Sequence, residues 1–196
     1  MVTKFIAVAI IGAAVYGQEA KPAIDNERVT VWDVTWTQDA TRPGGHDHDV
    51  VVMRLTGAKA GTASLIAKGS QLNEQGGIGA RWLVIELKDH PVAPLENKTG
   101  YPLAFPRPHV KKVLENDRVI VWSYRWNPGE PTPMHFHDKD VVVVYLEPTA
   151  LTSTTPDGAK TLNDYKAFDI RFNKRDRTHT ELLEHGTGSA MMMELK

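Results

Sequence analysis

Apolar and polar residues alternate with a period of two along much of the chain, in runs too short for typical helices. Val119, Val121 and their alternate neighbours follow this period, as expected for a strand with one buried face. The run from Val141 to Tyr145 is apolar throughout, which predicts a strand buried on both faces. Turn signals such as Asn127-Pro-Gly-Glu and Thr155-Pro-Asp-Gly separate the runs. The pattern therefore predicts an all-β protein.

The chain contains two copies of one sequence pattern. Residues Asp25 to Trp36 match residues Glu115 to Trp126, ninety positions later, with identity at six of twelve positions. Residues His46 to Leu55 match residues His137 to Leu146 at seven of ten positions. Matches in the same order indicate an internal duplication of one domain.

The sequence Glu-Leu-Lys closes both copies, at residues 86–88 and 194–196. The duplication predicts two domains, residues 24–89 (the first half) and residues 109–196 (the second half). Between them, residues 90–108 contain five prolines and have the composition of a linker (the connecting segment).

The first 17 residues have the composition of a cleaved signal peptide. Lys4 precedes an apolar run from Phe5 to Tyr16, and Val15 and Gly17 supply the small side chains that precede a cleavage site. This run is shorter than the roughly 20 residues that span a bilayer, so a membrane anchor is the weaker interpretation. We expect a mature protein outside the membrane, in the periplasm or secreted.

Composition narrows the classes of function and of partner. The formal net charge is -1, with 23 basic and 24 acidic residues mixed along the chain, which predicts no binding of nucleic acid or anionic lipid. Cysteine is absent, so disulfides, thiolate metal ligands and cysteine nucleophiles are excluded. The expected partner is a small molecule.

Three histidines of the second half carry the candidate chemistry. His135 and His137 flank Phe136 just before the apolar run, and alternate residues of a strand point to the same face. Both imidazoles are therefore expected to enter one barrel interior, where a later strand would bring His179 to the same point. The alternative is that all three line the interior as hydrogen-bonded polar residues without a metal.

The second half resembles the cupin superfamily. The resemblance lies in Pro128-Gly129, the His135-x-His137 pair, the apolar strand, the Pro-Asp-Gly hairpin and the later His179. It implies two tandem cupin barrels of the double-stranded β-helix, jelly-roll-like type, as in bicupins. It also implies that the three histidines bind one divalent metal ion: iron, manganese, zinc, copper or nickel, all of which accept imidazole ligands.

One position departs from the cupin pattern. A typical cupin places a glutamate ligand four residues after the second histidine, and Val141 stands there in this chain. Asp140 lies one residue earlier and points to the opposite face if the strand is regular. A bulge after His137 would instead turn Asp138 or Asp140 inward, so Asp140 is a candidate additional ligand. Three histidines with an open position also form a usable site.

The first half departs further and is predicted to be a degenerate cupin-like barrel. Alignment of the repeats places His46 opposite His137, and Gly44 opposite His135. Counting back from Glu-Leu-Lys places Gln71 opposite His179. Two of the three ligands are therefore missing, and His46 and His48 are interpreted as part of a solvated loop.

Two functions of different class fit these observations. One is a metal-dependent enzyme, an oxidoreductase of dioxygenase type or an isomerase, in which Arg171, Arg177 or Tyr124 orients an acidic or hydroxylated substrate. The other is a cupin that binds a small ligand, or is purely structural, without metal and turnover. Cupins often associate in pairs, so the resemblance also implies a homodimer, although the duplicated barrel meets the same need within one chain. An enzyme is expected to place a further titratable residue beside the metal.

Overall fold

The computed structural model describes residues 21–37, 46–71 and 76–196. The predicted signal peptide, residues 1–17, lies outside this range. The described residues form fourteen strands and no helix, so the all-β prediction is confirmed. Within this part of the chain there is no helix of the length and apolarity that spanning a membrane requires.

The described residues of the first half form one antiparallel sheet of five strands. The strand order is β1-β2-β5-β3-β4. The bounds are β1 Ile24–Asp25, β2 Val29–Thr35, β3 Asp49–Arg54, β4 Thr62–Ile66 and β5 Arg81–Leu87.

The second half contains two antiparallel sheets that enclose an apolar core. The strand orders are β11-β10-β13-β8 and β12-β9-β14-β7-β6. The bounds are β6 Val110–Glu115, β7 Val119–Arg125, β8 His135–His137, β9 Asp140–Tyr145, β10 Thr149–Thr154, β11 Lys160–Tyr165, β12 Ile170–Asn173, β13 Arg177–Gly186 and β14 Ser189–Leu195.

Alternation along β7 and β9 sends side chains to two different cores. Trp122 and Val143 face the barrel interior, whereas Val121 and Val142 face the first half. Every residue of β9 is buried, which confirms the prediction of a strand covered on both faces. The physical reason is that the first half covers the outer face of this sheet.

The two halves share one hydrophobic core. It contains eight buried residues of the first half and seven of the second, including Val31 and Met53 from one side and Val121 and Met193 from the other. Each half therefore needs the other half to bury one apolar face of its sheet. The first half acts as a packing lobe, because its sheet removes the apolar outer face of the second half from water.

Reciprocal polar contacts join the halves at the edge of this core. Arg28 donates to the Asp140 carboxylate at 2.8 Å and to the Lys196 carbonyl at 3.2 Å. Arg118 stands at the repeat-equivalent position, donates to the Lys88 carbonyl at 2.7 Å and lies 3.7 Å from the Asp49 carboxylate. In each direction, an arginine of one half thus contacts an aspartate carboxylate and a lysine carbonyl of the other half.

The connecting segment does more than join the halves. Leu103 forms a parallel bridge with Phe136 of β8, and the Ala104 amide donates to the Phe136 carbonyl at 2.8 Å. Phe105 is buried against Trp122 in the barrel core. Prolines suit such an edge because they lack the amide that an inner strand must donate. The barrel therefore begins before residue 109, and this edge carries Arg107 to the site.

Candidate metal centre

Strands β8 and β13 bring the three histidines together. His135 and His137 are alternate residues of β8, so their side chains share one face. His179 of β13 pairs directly with His135 in the antiparallel register. All three side chains are buried in the barrel. We call these three residues the three-histidine cluster.

The imidazoles of the cluster converge through their Nε2 atoms. Nε2 of His137 lies 3.2 Å from Nε2 of His135 and 3.2 Å from Nε2 of His179. The candidate ligand atoms all lie within 4.8 Å of one another. Nitrogens bound at about 2.1 Å to one ion lie roughly 3.0 to 3.4 Å apart in octahedral or tetrahedral geometry. The two shorter separations therefore fit a divalent transition-metal ion.

The surroundings of His135 direct a lone pair into the cluster. Its Nδ1 lies 2.8 Å from the carbonyl of Pro133, a pure acceptor, so this nitrogen carries the proton. Nε2 is then the acceptor of the hydrogen bond from Arg107 at 3.1 Å, which a bound ion would have to replace. A hydrogen bond from the outer nitrogen is the usual way in which proteins orient a histidine ligand.

All three histidines are neutral at neutral pH. Burial, followed by the charge of Arg107, lowers the pKa of His135 from 6.5 to about 4. Burial also lowers the pKa of His137 well below 6.5 and the pKa of His179 below 6.5. Neutral imidazole is the form that binds metal, so the cluster does not need to lose a proton before an ion enters.

These lowered pKa values predict a loss of stability in acid for the metal-free protein. The unfolded chain takes up protons below its histidine pKa of 6.5, whereas folded His135 resists protonation until about pH 4. Stability is therefore complete above about pH 6.5 and falls as the pH approaches 4, by roughly 3 kcal/mol from His135 alone. Urea unfolding with a chelator present, from about pH 7.5 to 4, measures the free energy of unfolding. This free energy should fall less with acid for His135→Gln than for the wild type. An equal fall in the two proteins would contradict the lowered pKa of His135.

Solved structures share this architecture. No family model matches the chain, and no curated protein matches its sequence. A cupin 2 conserved barrel domain protein from Leptotrichia buccalis is 10% identical, with a TM-score of 0.56 over 90% of this chain and 88% of that chain. The chain has the cupin fold. An oxalate decarboxylase from Bacillus subtilis is also 10% identical, with a TM-score of 0.50 over 87% of this chain and 69% of that chain. Both alignments include both halves.

Asp140 lies outside the three-histidine cluster. Its carboxylate accepts one bond from Arg28 at 2.8 Å and one from the Arg175 amide at 2.9 Å. The chain leaves one sheet after β8 and enters the other at β9, so no bulge turns Asp140 inward. Val141 lines the cavity beside the cluster, where the cupin pattern places its glutamate. The prediction of Asp140 as an additional ligand is therefore wrong, because its carboxylate forms an ion pair between the halves.

Two site residues escaped the sequence analysis. Arg107 contacts His135 as above, and lies 3.4 Å from Glu181 and 4.0 Å from the ring of Tyr124. Its position in the proline-rich segment gave no local signal. Glu181 follows His179 by two residues on β13, and the alternation that pairs His135 with His137 applies equally to it. That signal was available in the sequence.

Arg177 is the residue among the three proposed substrate-orienting side chains that lines the cavity. It pairs with His137 across β8 and β13 and therefore shares the face of the cluster. The cavity has a volume of 20 Å³, room for one water-sized group. Arg171 is exposed and pairs with Asp169 instead. Tyr124 is buried beneath Arg107 and does not line this cavity.

The histidines of the first half form no comparable cluster among the described residues. His46 and His48 are partly buried, and Nδ1 of His48 lies 3.4 Å from the Asp89 carboxylate. Gln71 is exposed, and Gly44 lies outside the described residues. Within the described parts of the chain, the three-histidine cluster is the one group of three or more residues with metal-binding geometry.

Proposed function

We propose that this cupin binds one divalent metal ion at the three-histidine cluster and a small carboxylic acid beside it, and that the two together support metal-dependent chemistry. The observation that carries the proposal is the convergence of three neutral Nε2 atoms in a buried cavity with surplus positive charge. Imidazole ligands suit iron, manganese, zinc, copper and nickel alike.

The charges around the cavity favour an anionic ligand. Its lining includes the guanidinium groups of Arg107 and Arg177 but one carboxylate, that of Glu181. Because the histidines are neutral, the lining carries an excess of one positive charge before any metal enters. A carboxylate or similar anion would compensate this charge in a region of low dielectric constant.

Arg177 is the group best placed to bind that anion. Its Nε donates to the Lys174 carbonyl at 2.7 Å, which fixes the plane of the guanidinium. Its two terminal nitrogens donate to no residue that the structure describes, and the residue remains partly exposed. A planar fork with free donors matches the geometry of a carboxylate. The acid would bind with its carboxylate at Arg177 and its body toward solvent, because the cavity itself is small.

Titratable groups beside the cluster favour an enzyme over a storage protein. A metal ion bound here would act as a Lewis acid on an oxygen of the ligand. Tyr145 lines the same cavity, and burial raises the pKa of its hydroxyl well above 10. The hydroxyl therefore keeps its proton, which it donates to Tyr165, and a ligand oxygen would receive this hydrogen bond only by replacing Tyr165 as the acceptor.

The experiment is a metal and ligand titration of the protein made without its first 17 residues or a histidine tag. Elemental analysis should find about one metal per chain. Calorimetry with acetate, glycolate, oxalate and benzoate, each against its neutral amide, should detect binding of the acids. Arg177→Gln should weaken this binding by about tenfold to a hundredfold, because it removes charged hydrogen bonds, and should leave the metal content unchanged.

Arg171→Gln is the matched control, since it removes an equal charge from the exposed neighbouring surface. Equal affinities for acids and amides would refute the anionic ligand. Absence of metal after dialysis against each candidate ion would refute the metal site.

We also propose that the protein is exported and that its first 17 residues are cleaved. The support is the apolar run from Phe5 to Tyr16, which follows Lys4. Intact mass of the protein recovered from cells that express the full chain should show cleavage after Gly17. An uncleaved mass would refute it.

A further inference from the structure

The three-histidine cluster offers three neutral ligands, and Val141 stands at the position of β9 where the cupin pattern places a carboxylate. We propose that Glu181 of β13 is the fourth protein ligand and binds the ion through Oε1. This inference rests on the proposed metal site and adds a ligand at a position different from the cupin pattern. It would make the donor set three nitrogens and one oxygen.

The position of Glu181 on β13 aims its side chain at the cluster. It shares the face of His179, and its Oε1 lies 3.8 Å from Nε2 of His179. The backbone is held on both sides by Thr132, whose hydroxyl accepts from the Glu181 amide at 2.8 Å and whose amide donates to the Glu181 carbonyl at 2.8 Å. Neighbouring ligand atoms lie roughly 3.0 to 3.4 Å apart around one ion. The Oε1–Nε2 separation of 3.8 Å exceeds this range by about 0.4 Å, so a side-chain rotation must bring Oε1 toward the point where the three Nε2 atoms converge.

The two carboxylate oxygens of Glu181 have different surroundings. Oε2 accepts from the Trp126 indole at 3.1 Å and from Arg107 at 3.4 Å. Oε1 receives no hydrogen bond from any described residue and faces His179. The side chain is only 15% exposed. One oxygen held by donors and one left free is the arrangement of a monodentate carboxylate ligand with outer-shell support.

Other nearby carboxylates are committed elsewhere. Asp140 is paired with Arg28. Glu194 stands opposite Val141 on β14, but it accepts from the Trp122 indole at 2.9 Å and does not line the cavity. Glu181 is thus the carboxylate in reach that also offsets the charges of Arg107 and of a divalent ion.

The experiment measures cobalt(II) affinity and the visible spectrum of the cobalt protein, by competition with a chelating dye. Glu181→Gln should weaken cobalt(II) binding by about tenfold to a hundredfold or more and shift the visible bands, because a neutral amide, a weaker donor, replaces the anionic carboxylate. Glu184→Gln is the control, because Glu184 lies on the same strand but is exposed. It should match the wild type in both measurements.

A second variant keeps the test decisive if Glu181→Gln also disturbs the packing. The double variant Val141→Glu/Glu181→Gln places a carboxylate at the position that the cupin pattern uses, and should recover most of the lost affinity. Wild-type affinity and an unchanged spectrum in Glu181→Gln would overturn the inference while leaving the three-histidine site intact. Failure of the wild type itself to bind cobalt(II), zinc(II) or manganese(II) would overturn the proposed function and this inference together.

Discussion

Replacing His135 and His137 together with alanine is expected to abolish metal binding, from about one metal per chain to none. The two residues contribute two of the three converging Nε2 atoms, and their separation of 3.2 Å places both around the same point. The remaining ligands, His179 and the proposed Glu181, are too few to hold a divalent ion against dialysis. Elemental analysis of the purified variant checks the prediction, and its circular dichroism spectrum should remain that of a β protein.

The matched control is the double variant His46→Ala/His48→Ala. These residues repeat the His-x-His spacing, but within the described chain they belong to no group with metal-binding geometry. The metal content should therefore equal that of the wild type. Equal loss of metal from both double variants would show that the histidines had been assigned wrongly.

Replacing Asp140 with alanine is expected to lower the free energy of unfolding by about 3 to 5 kcal/mol. Arg28 and Asp140 are both nearly buried, and the variant leaves the guanidinium in the interface without its partner. Uncompensated buried charges carry a cost of this size. Urea unfolding at pH 7 checks the loss. Metal content should be unchanged, because Asp140 lies outside the cluster.

Asp49→Ala tests the equivalent contact on the other side of the interface. Its partner Arg118 is 3.7 Å away, and both side chains are roughly one-third exposed. The expected loss is about 1 kcal/mol, as for a surface pair with one further hydrogen bond. Equal losses in Asp49→Ala and Asp140→Ala would contradict the unequal burial of the two contacts. Loss of metal in Asp140→Ala would instead return Asp140 to the set of ligands.

The features that the sequence predicted well are local or repeated. Two histidines separated by one residue share a face of any strand, and the apolar run at β9 requires cover on both sides. The internal duplication also predicted that the first half lacks the equivalents of His135 and His179, and the described residues of that half contain no cluster like that of the second. These inferences depend on periodicity and alignment, which are properties of the chain itself.

The features that escaped prediction depend on contacts between distant residues. Asp140 finds Arg28 at a separation of 112 residues, and only the packing of one half on the other brings them together. The chain also changes sheets at Asp138 and Lys139, so the regular-strand argument ends there. Arg107 enters the site because the connecting segment pairs with β8. The high proline content of this segment suggested a linker and gave no sign of this pairing.

The reciprocal contacts of Arg28 and Arg118 are those expected of a symmetric dimer, in which one surface meets its own copy. In an association of identical chains, each substitution appears twice, and both copies of a site change together. Here the two copies are encoded separately within one chain. Gln71 can therefore stand in one copy where His179 stands in the other, and the interface itself can become unequal without loss of assembly. The duplication therefore gives one chain two unequal copies of the same pattern, of which the first serves in packing and the second carries the three-histidine cluster.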